Sequence, residues 1–148
     1  MSHSKPRKPN GHPKHLLPSE FDAEAIVGPL KADAARWLVS TILRKLAVRD
    51  VDARGFAILS STILERVMGH GYAKIVRALV DAGVLLRSPY RDGRSSGYRL
   101  ADEHLAGMPR LVAVTNPVIR DRLQREQERH ETEQAERRLW IHDALDEA

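Results

Sequence analysis

The sequence SSTILERVMGHGYAKIVRALVDAGVLLRSPYRDGRSSGYRL, residues 60–100, decides the fold of this chain. It begins with two short amphipathic segments on either side of Gly69-His70-Gly71, and Gly83 follows the second of them. An apolar run and a turn around Asp92-Gly93 come next, which is typical of a strand–turn–strand unit. The stretch therefore predicts a helix-turn-helix that leads directly into a β-hairpin.

The spacing of apolar residues predicts a helix over residues 72–82 with one buried face and one polar face. The buried positions follow the i, i+3, i+4, i+7 pattern and are Tyr72, Ile75, Val76 and Leu79. At about 100° per residue, His70, Lys74 and Arg77 share the opposite side with Asp81. Arginine can bind guanine through two hydrogen bonds, and lysine is less selective, so His70, Lys74 and Arg77 are candidate DNA contacts in a recognition helix.

The hairpin over residues 84–100 carries a second set of candidate DNA contacts. Pro89 cannot donate a ladder hydrogen bond, which predicts an edge or a bulge near it. The polar candidates lie in the turn predicted over residues 91–97 or on the outer side of the second strand, and they are Arg91, Arg94, Ser95, Ser96 and Arg99. The arginines are suited to phosphates or a narrow minor groove, whereas the serines either bind phosphate oxygens or only cap the turn.

Charge is distributed unevenly along the chain, although its net charge is only +4. Residues 61–100 hold seven basic and three acidic side chains, and residues 1–20 also have a basic excess. Residues 101–148 hold seven basic and eleven acidic side chains. A basic middle region is the expected electrostatic footprint of a surface that binds nucleic-acid phosphates.

The residues before the decisive stretch predict one more helix and a short strand. The helix spans residues 33–47 with Asp33 as its N-cap, and the strand lies near residues 55–58. Thr62 and Glu65 have the spacing of a capping box for the next helix. Together the elements predict a mainly α fold with a small β-hairpin, namely a winged helix-turn-helix domain over residues 31–106.

The two ends of the chain are expected to lie outside that domain. Residues 1–30 predict a disordered basic N-terminal tail. Residues 107–148 predict a linker, in which 111–114 form a last strand or a hinge, and a long helix that opens at Asn116-Pro117. The middle of this helix lacks the apolar positions of a long coiled coil. Its end carries candidate contacts for a partner or a second copy, which are Leu139, Trp140, Ile141 and Leu145.

Several functional classes are not expected. The sequence has no cysteine and no motif for a metal site, a cofactor or a catalytic nucleophile, so we expect neither an enzyme nor a metalloprotein. It also lacks a signal peptide and an apolar run long enough to span a membrane, which predicts a soluble protein of the bacterial cytoplasm or nucleoid.

Residues 33–100 resemble winged-helix segments in proteins of phages, plasmids and other mobile elements. The pattern that carries the resemblance is Tyr72-x-x-Ile75-x-x-x-Leu79-x-x-x-Gly83-Val84-Leu85, followed by Tyr90-x-x-Gly93-x-x-Ser96-x-Tyr98-Arg99-Leu100. The resemblance implies binding of double-stranded DNA in replication initiation or transcription control. Two alternatives remain open, a protein-interaction module that docks through the C-terminal helix and a dimeric transcriptional repressor.

Overall fold

The computed structural model describes residues 13–93 and 95–146, and for Arg91 and Asp92 it describes the backbone alone. The helices in this part of the chain are α1 (Ala23–Val27), α2 (Ala32–Ala47), α3 (Ser61–Met68), α4 (Tyr72–Asp81) and α5 (Pro117–Asp146). The strands are β1 (Lys14–Leu17), β2 (Ala57–Ser60), β3 (Leu85–Asp92), β4 (Ser95–Leu100) and β5 (Arg110–Ala113), and a 3-10 turn covers Asp102–His104. None of the described helices combines the length and the apolarity that a bilayer crossing requires.

The strands form two antiparallel sheets, so the fold is mixed α/β. The first sheet has the strand order β2-β4-β3, and the second consists of β1 and β5. The predicted mainly α fold with one hairpin therefore contained too few strands. The physical reason is that β1 and β5 are four-residue strands without a connecting turn between them, so no local sequence signal announces their pairing.

Residues 14–27 are folded, which corrects the disordered tail predicted over residues 1–30. β1 pairs with β5 along its whole length, and α1 packs against α2. Leu17 and Phe21 are buried in the common core, with 1% and 2% of their surface exposed. The many proline, lysine and histidine residues before them are typical of a disordered segment, so the sequence did not indicate that these two apolar residues are buried. The first part of the predicted tail, residues 1–12, lies outside the described residues.

The second sheet also decides between the two alternatives for residues 111–114. Residues 111–113 belong to a strand, β5, and Val114 directly after this strand is completely buried. The predicted linker therefore begins with a structural element that pairs with the N-terminal segment. β1 contacts α2, and β5 is joined to this part of the core through its pairing with β1.

α2 is the central helix of the hydrophobic core. Four of its side chains have no exposed surface, or almost none, and they are Ala35, Leu38, Val39 and Ile42. Strands of both sheets and helices α1, α3 and α4 all contact it. Burial of these apolar side chains provides the main stabilisation of the domain, since each large one contributes about 1.5–3 kcal/mol.

A buried polar cluster joins three elements at the start of α2. Nε2 of His15 lies 3.0 Å from Oδ1 of Asp33, and the backbone N–H of Asn116 donates to Oδ2 of Asp33 at 3.0 Å. Burial lowers the pKa of His15, and the nearby Asp33 carboxylate opposes this effect. The prediction of Asp33 as an N-cap was wrong, because α2 begins one residue earlier, at Ala32. The carboxylate of Asp33 instead binds His15 of β1 and the backbone of Asn116, the residue before α5.

The start of α3 differs from the prediction in its cap. The hydroxyl of Ser60 accepts a hydrogen bond from the backbone N–H of Ile63 at 3.2 Å, so Ser60 is the N-cap. Thr62 lies inside the first turn and does not form the predicted capping box with Glu65. Two serines precede the threonine, and the first of them already has the extended backbone that an N-cap requires.

The hairpin spans nearly the predicted residues, but its strands are longer and its turn is tighter than the sequence predicted. Asp92 pairs directly with Ser95, which leaves only Gly93 and position 94 between the strands instead of a turn over residues 91–97. Gly93 has a φ of 61°, a conformation that glycine adopts without steric cost. The register of β3 and β4 shifts between residues 87 and 91, which confirms the irregularity predicted near Pro89.

α5 extends from the domain as a long helix, as the sequence predicted. The side chain of Asn116 accepts hydrogen bonds from the backbone N–H groups of Val118 and Ile119, so the predicted N-cap is confirmed. Ile119 is buried and Leu123 packs against the core, whereas every residue from 127 to 146 is exposed. These twenty exposed residues correspond to about 30 Å of helix.

Candidate nucleic-acid interface

The outer face of α4 is the candidate surface for a nucleic acid. Ile75, Val76 and Leu79 bury the inner face of the helix against the core, as their spacing predicted. Lys74 and Arg77 lie on the opposite side and are exposed. Because the apolar stripe fixes the rotation of α4 about its axis, both cationic side chains point away from the protein.

Neither Lys74 nor Arg77 forms an ion pair within the described residues. Many other arginines of the described chain bind a carboxylate or a carbonyl of the protein itself, such as Arg36, Arg66 and Arg110. The donors of the two α4 side chains are thus not used by ion pairs within the described residues. Lysine and arginine at such positions bind phosphates, and arginine also reads guanine.

His70 lies outside the recognition helix, which corrects its predicted place. α4 begins at Tyr72, and His70 occupies the turn that precedes it. Its side chain is 95% exposed, and Nδ1 lies 2.6 Å from a carboxylate oxygen of Glu65. The intervening Gly71 ends the helical periodicity, so the projection at 100° per residue does not extend back to His70. His70 is therefore connected to the face of Lys74 and Arg77 only through this turn.

The tip of the hairpin contains two predicted DNA contacts whose side chains are not described, Arg91 and Arg94. Arg94 lies outside the described residues, and for Arg91 only the backbone is described, in β3 opposite Ser96. Ser95 and Ser96 are half-buried residues of strand β4, which corrects their predicted place in the turn. Ser95 faces Ser60 of β2 across the sheet, and both serines have their backbone in ladder pairs.

Arg99 lies at the base of the hairpin, away from its tip. It alternates with the buried Tyr98 and Leu100, and its side chain is about one third exposed, which confirms the predicted alternation. Its guanidinium group lies 3.5 Å from a carboxylate oxygen of Asp102 and 6.0 Å from the ring centre of Phe56. The guanidinium group of Arg99 therefore already makes contacts within the chain.

A stacked arginine beside the hairpin was missed by the sequence analysis. The guanidinium carbon of Arg54 lies 3.7 Å from the ring centre of Tyr90, which is 59% exposed on β3. Both residues are far apart in sequence, so no motif spacing signals the pair. It adds a cation and an aromatic ring to the surface of the three-stranded sheet, and such pairs contribute about 0.5–1 kcal/mol at exposed sites.

The first turns of α5 contact α3 and the turn that follows it. Arg122 donates to the backbone carbonyl of Val67 at 3.1 Å, directly at the end of α3. Its guanidinium group also passes close to Gly69, where a Cβ atom would lie 3.2 Å from Nη1. Arg66 of α3 donates to both carboxylate oxygens of Glu126 at 3.3 Å. Arg66, which the sequence analysis counted among the basic residues of the middle region, thus has a structural partner.

The predicted partner contacts at the end of α5 are exposed. The exposed fractions are 65% for Leu139, 72% for Trp140, 52% for Ile141 and 69% for Leu145. Trp140, Ile141, Arg137, Glu133 and Glu136 line a shallow depression on the helix surface. These side chains do not pack against the core of their own chain, although apolar groups of this size are ordinarily buried.

The described residues contain no cluster of three or more histidine, aspartate or glutamate side chains with the geometry of a metal site. No protein-family model matches the chain, and comparisons with curated proteins and with solved structures found no match.

Proposed function

We propose that this chain binds double-stranded DNA through the outer face of α4, with residues 32–100 acting as a winged-helix domain. The order α2-β2-α3-α4-β3-β4 and the sheet order β2-β4-β3 support this assignment. In such a domain the second helix of the helix-turn-helix enters the major groove, and the hairpin lies along the flanking backbone. α4 and the β3–β4 hairpin are the corresponding elements here.

The observation that carries the proposal is the unpaired cationic face of α4. Lys74 and Arg77 are one helical turn apart, exposed, and free of ion pairs within the described residues. Arg91, Arg94 and Arg99 would add phosphate contacts from the hairpin, with Ser95 and Ser96 as neutral donors. No described ion pair joins the acidic side chains of α5 to Lys74 or Arg77.

The biological setting follows from the resemblance to proteins of phages, plasmids and mobile elements. We infer a role in replication initiation or transcription control within the bacterial cytoplasm or nucleoid. Both roles need a protein that recognises a DNA site without chemical change, and neither needs a cofactor. The α4 face supplies the required donors in either case.

The direct test is fluorescence anisotropy with a mixed-sequence duplex of about 30 base pairs, measured over a series of salt concentrations. We expect binding that weakens steeply with salt. Lys74→Ala combined with Arg77→Ala should lower the affinity about tenfold or more, and the salt slope should fall by about one for each of the two side chains that contacts a phosphate.

A matched control removes two cations from α5. Arg125→Ala with Arg138→Ala changes the net charge equally but alters exposed side chains of α5 that are not on the α4 face, so affinity should stay near that of the unmodified chain. Equal losses in both double variants would indicate a general charge effect and contradict the α4 interface. Absence of binding at low salt would contradict DNA binding altogether.

The exposed end of α5 favours a second candidate function, a protein-interaction module. Its apolar residues are 52–72% exposed, and the basic face of α4 would then be incidental. In that case Trp140→Ala should abolish a complex with the partner and leave the melting temperature unchanged. A dimeric repressor uses the same residues with a second copy as the partner.

A further inference from the structure

Arg122, near the base of α5, contacts the helix-turn-helix from outside it. Its Nη1 atom donates to the backbone carbonyl of Val67 at 3.1 Å, and the same atom lies 3.2 Å from the position that a Cβ atom of Gly69 would occupy. The side chain is half-buried, whereas Gln124 and Arg125 further along the helix are exposed. The guanidinium group of Arg122 therefore lies against the end of α3 and the first residue of the turn that leads to α4.

The turn Gly69-His70-Gly71 has few anchors of its own. The side chain of His70 is 95% exposed, and the φ of Gly69 is 92°, a conformation that glycine adopts freely along with many others. The backbone N–H of Gly69 donates to Glu65, and that of Tyr72 donates to Gly69, so both of these bonds are local. Arg122 adds a contact from an element that is 55 residues beyond Val67 in the chain.

The carbonyl that Arg122 binds is one that a helix leaves without an internal partner. Val67 lies in the last turn of α3, where the carbonyl groups point beyond the end of the helix. A cation at this end is also favoured by the helix dipole. Arg66 is on the same turn of α3, but its guanidinium group binds Glu126. Arg122 thus stabilises α3 at the point where the chain turns toward α4.

The turn also determines where α4 starts, and with it the position of Lys74. The backbone N–H of Lys74 donates to the carbonyl of Gly71 at 3.2 Å, so Lys74 belongs to the first turn of α4. The apolar stripe sets the rotation of α4 about its axis, whereas the turn sets its starting point. α5 packs on α3, and a depression lined by Arg122, Gly71 and Ile75 lies beside the start of α4. The base of α5 can therefore act on α4 through the turn.

We propose that Arg122 is a positioning residue for the α4 face. It does not contact DNA, but it restrains the turn in the conformation from which Lys74 and Arg77 reach their target. This inference rests on the DNA binding proposed above. A segment that is already restrained in its bound conformation loses less conformational freedom on binding, and this raises the affinity. The base of α5 is then a part of the DNA-binding unit.

The test compares Arg122→Ala with Arg120→Ala in the full chain, by fluorescence anisotropy with the same duplex and salt series. Arg120 is the matched control, because it lies on the same helix and also donates to a backbone carbonyl, that of Val114 at 2.8 Å. Arg122→Ala should lower the affinity about fivefold to tenfold through the lost restraint on the turn. It should leave the salt slope unchanged, since no phosphate contact is lost.

Two further variants define the contact. Arg120→Ala removes the same charge and should leave the affinity near that of the unmodified chain. Arg122→Lys keeps a charged donor for the carbonyl of Val67 and should recover most of the affinity that Arg122→Ala loses. Far-UV circular dichroism and the melting temperature of each variant check that it is folded under the conditions of the binding measurement.

Amide hydrogen exchange without DNA measures the restraint directly. The backbone N–H groups of Tyr72 and Lys74 are bonded within the turn and the start of α4, so their exchange reports its opening. Exchange at both amides should be several times faster in Arg122→Ala than in Arg120→Ala. Exchange in the paired strands β1 and β5 should be the same in Arg122→Ala and the unmodified chain.

Several results would overturn the proposal. A salt slope that falls by about one in Arg122→Ala would make Arg122 a phosphate contact instead of a positioning residue. Equal losses of affinity in Arg122→Ala and Arg120→Ala, no recovery in Arg122→Lys, or unchanged exchange at Tyr72 and Lys74 would also contradict it. If the unmodified chain binds no DNA, the proposed function fails, and hydrogen exchange still decides whether Arg122 restrains the turn. The two failures are therefore distinguishable.

Discussion

Nε2 of His15 lies 3.0 Å from Oδ1 of Asp33, and this contact is buried, with 2% of His15 and 3% of Asp33 exposed. A carboxylate can only accept, so the proton of the imidazole is on Nε2. The other carboxylate oxygen accepts from the backbone N–H of Asn116. One aspartate therefore connects β1, α2 and the start of α5, and a change at either contact should alter the stability of the whole domain.

We expect the domain to lose stability as the pH falls below 6.5. An unburied histidine has a pKa of 6.5, and burial lowers the pKa of His15 below this value in the folded chain. Between the folded and the unfolded pKa the unfolded chain therefore binds more protons than the folded chain. The contribution of the neutral imidazole is complete above 6.5 and decreases through this window. The surrounding charges are the Asp33 carboxylate, which favours protonation, and the guanidinium groups of Arg36 and Arg44, which oppose it.

Thermal unfolding of the unmodified chain and of His15→Gln, from about pH 8 to pH 5, measures this effect. Glutamine keeps an N–H donor but does not titrate. The difference in melting temperature between the two proteins should change in favour of the variant as the pH falls. A constant difference across the range would show that His15 has the same pKa in both states.

Phe21→Ala should destabilise the domain by about 3–5 kcal/mol, because the aromatic ring is buried and its removal leaves a cavity. Urea unfolding measures this free energy. The control is Leu30→Ala, since Leu30 is 89% exposed and its truncation should change stability by less than about 0.5 kcal/mol. A small effect of Phe21→Ala would mean that the N-terminal segment is not part of the core.

Gly97→Ala should destabilise the three-stranded sheet by about 1–3 kcal/mol. An added Cβ atom would lie 2.9 Å from Cβ of Phe56 and 3.0 Å from Cβ of Ser88, and neither can move without shifting its strand or loop. Gly71→Ala is the control, because nothing lies within 4 Å of its Cβ position and its φ is −83°. Denaturant unfolding of both variants should separate them clearly; similar values would place Gly97 in a less crowded site.

Asn116→Ala should cost about 0.5–2 kcal/mol through loss of the cap on α5, measured as the change in urea midpoint. The side chain of Asn116 accepts from the first free N–H groups of the helix, on Val118 and Ile119. Asn116→Ser keeps an acceptor at the same position and should retain most of the stability. If serine and alanine were equally destabilising, the amide group would have a role other than capping.

The sequence predicted α2 to α5 well because local signals define each of them, whereas α1 lies in the segment that was predicted to be disordered. The apolar spacing of α2 and α4, and the Asn116-Pro117 start of α5, locate these helices to within one residue of their observed bounds. Lys74 and Arg77 could also be placed correctly, since the rotation of α4 depends only on which of its own residues are apolar. His70 could not, because a turn of two glycines interrupts the helical periodicity before it.

The sequence by itself determined helices α2 to α5, the presence of a hairpin before residue 100, the distribution of charge and the exposed face of α4, because periodicity and turn residues act over a few positions. Only the tertiary structure decided that residues 14–17 pair with residues 110–113, that Arg54 stacks on Tyr90, and that Arg66 binds Glu126. Each of these contacts joins residues that are distant along the chain and individually unremarkable. Their partners are fixed by the packing of α2, α3 and α5 around a common core, and that packing is a property of the whole domain.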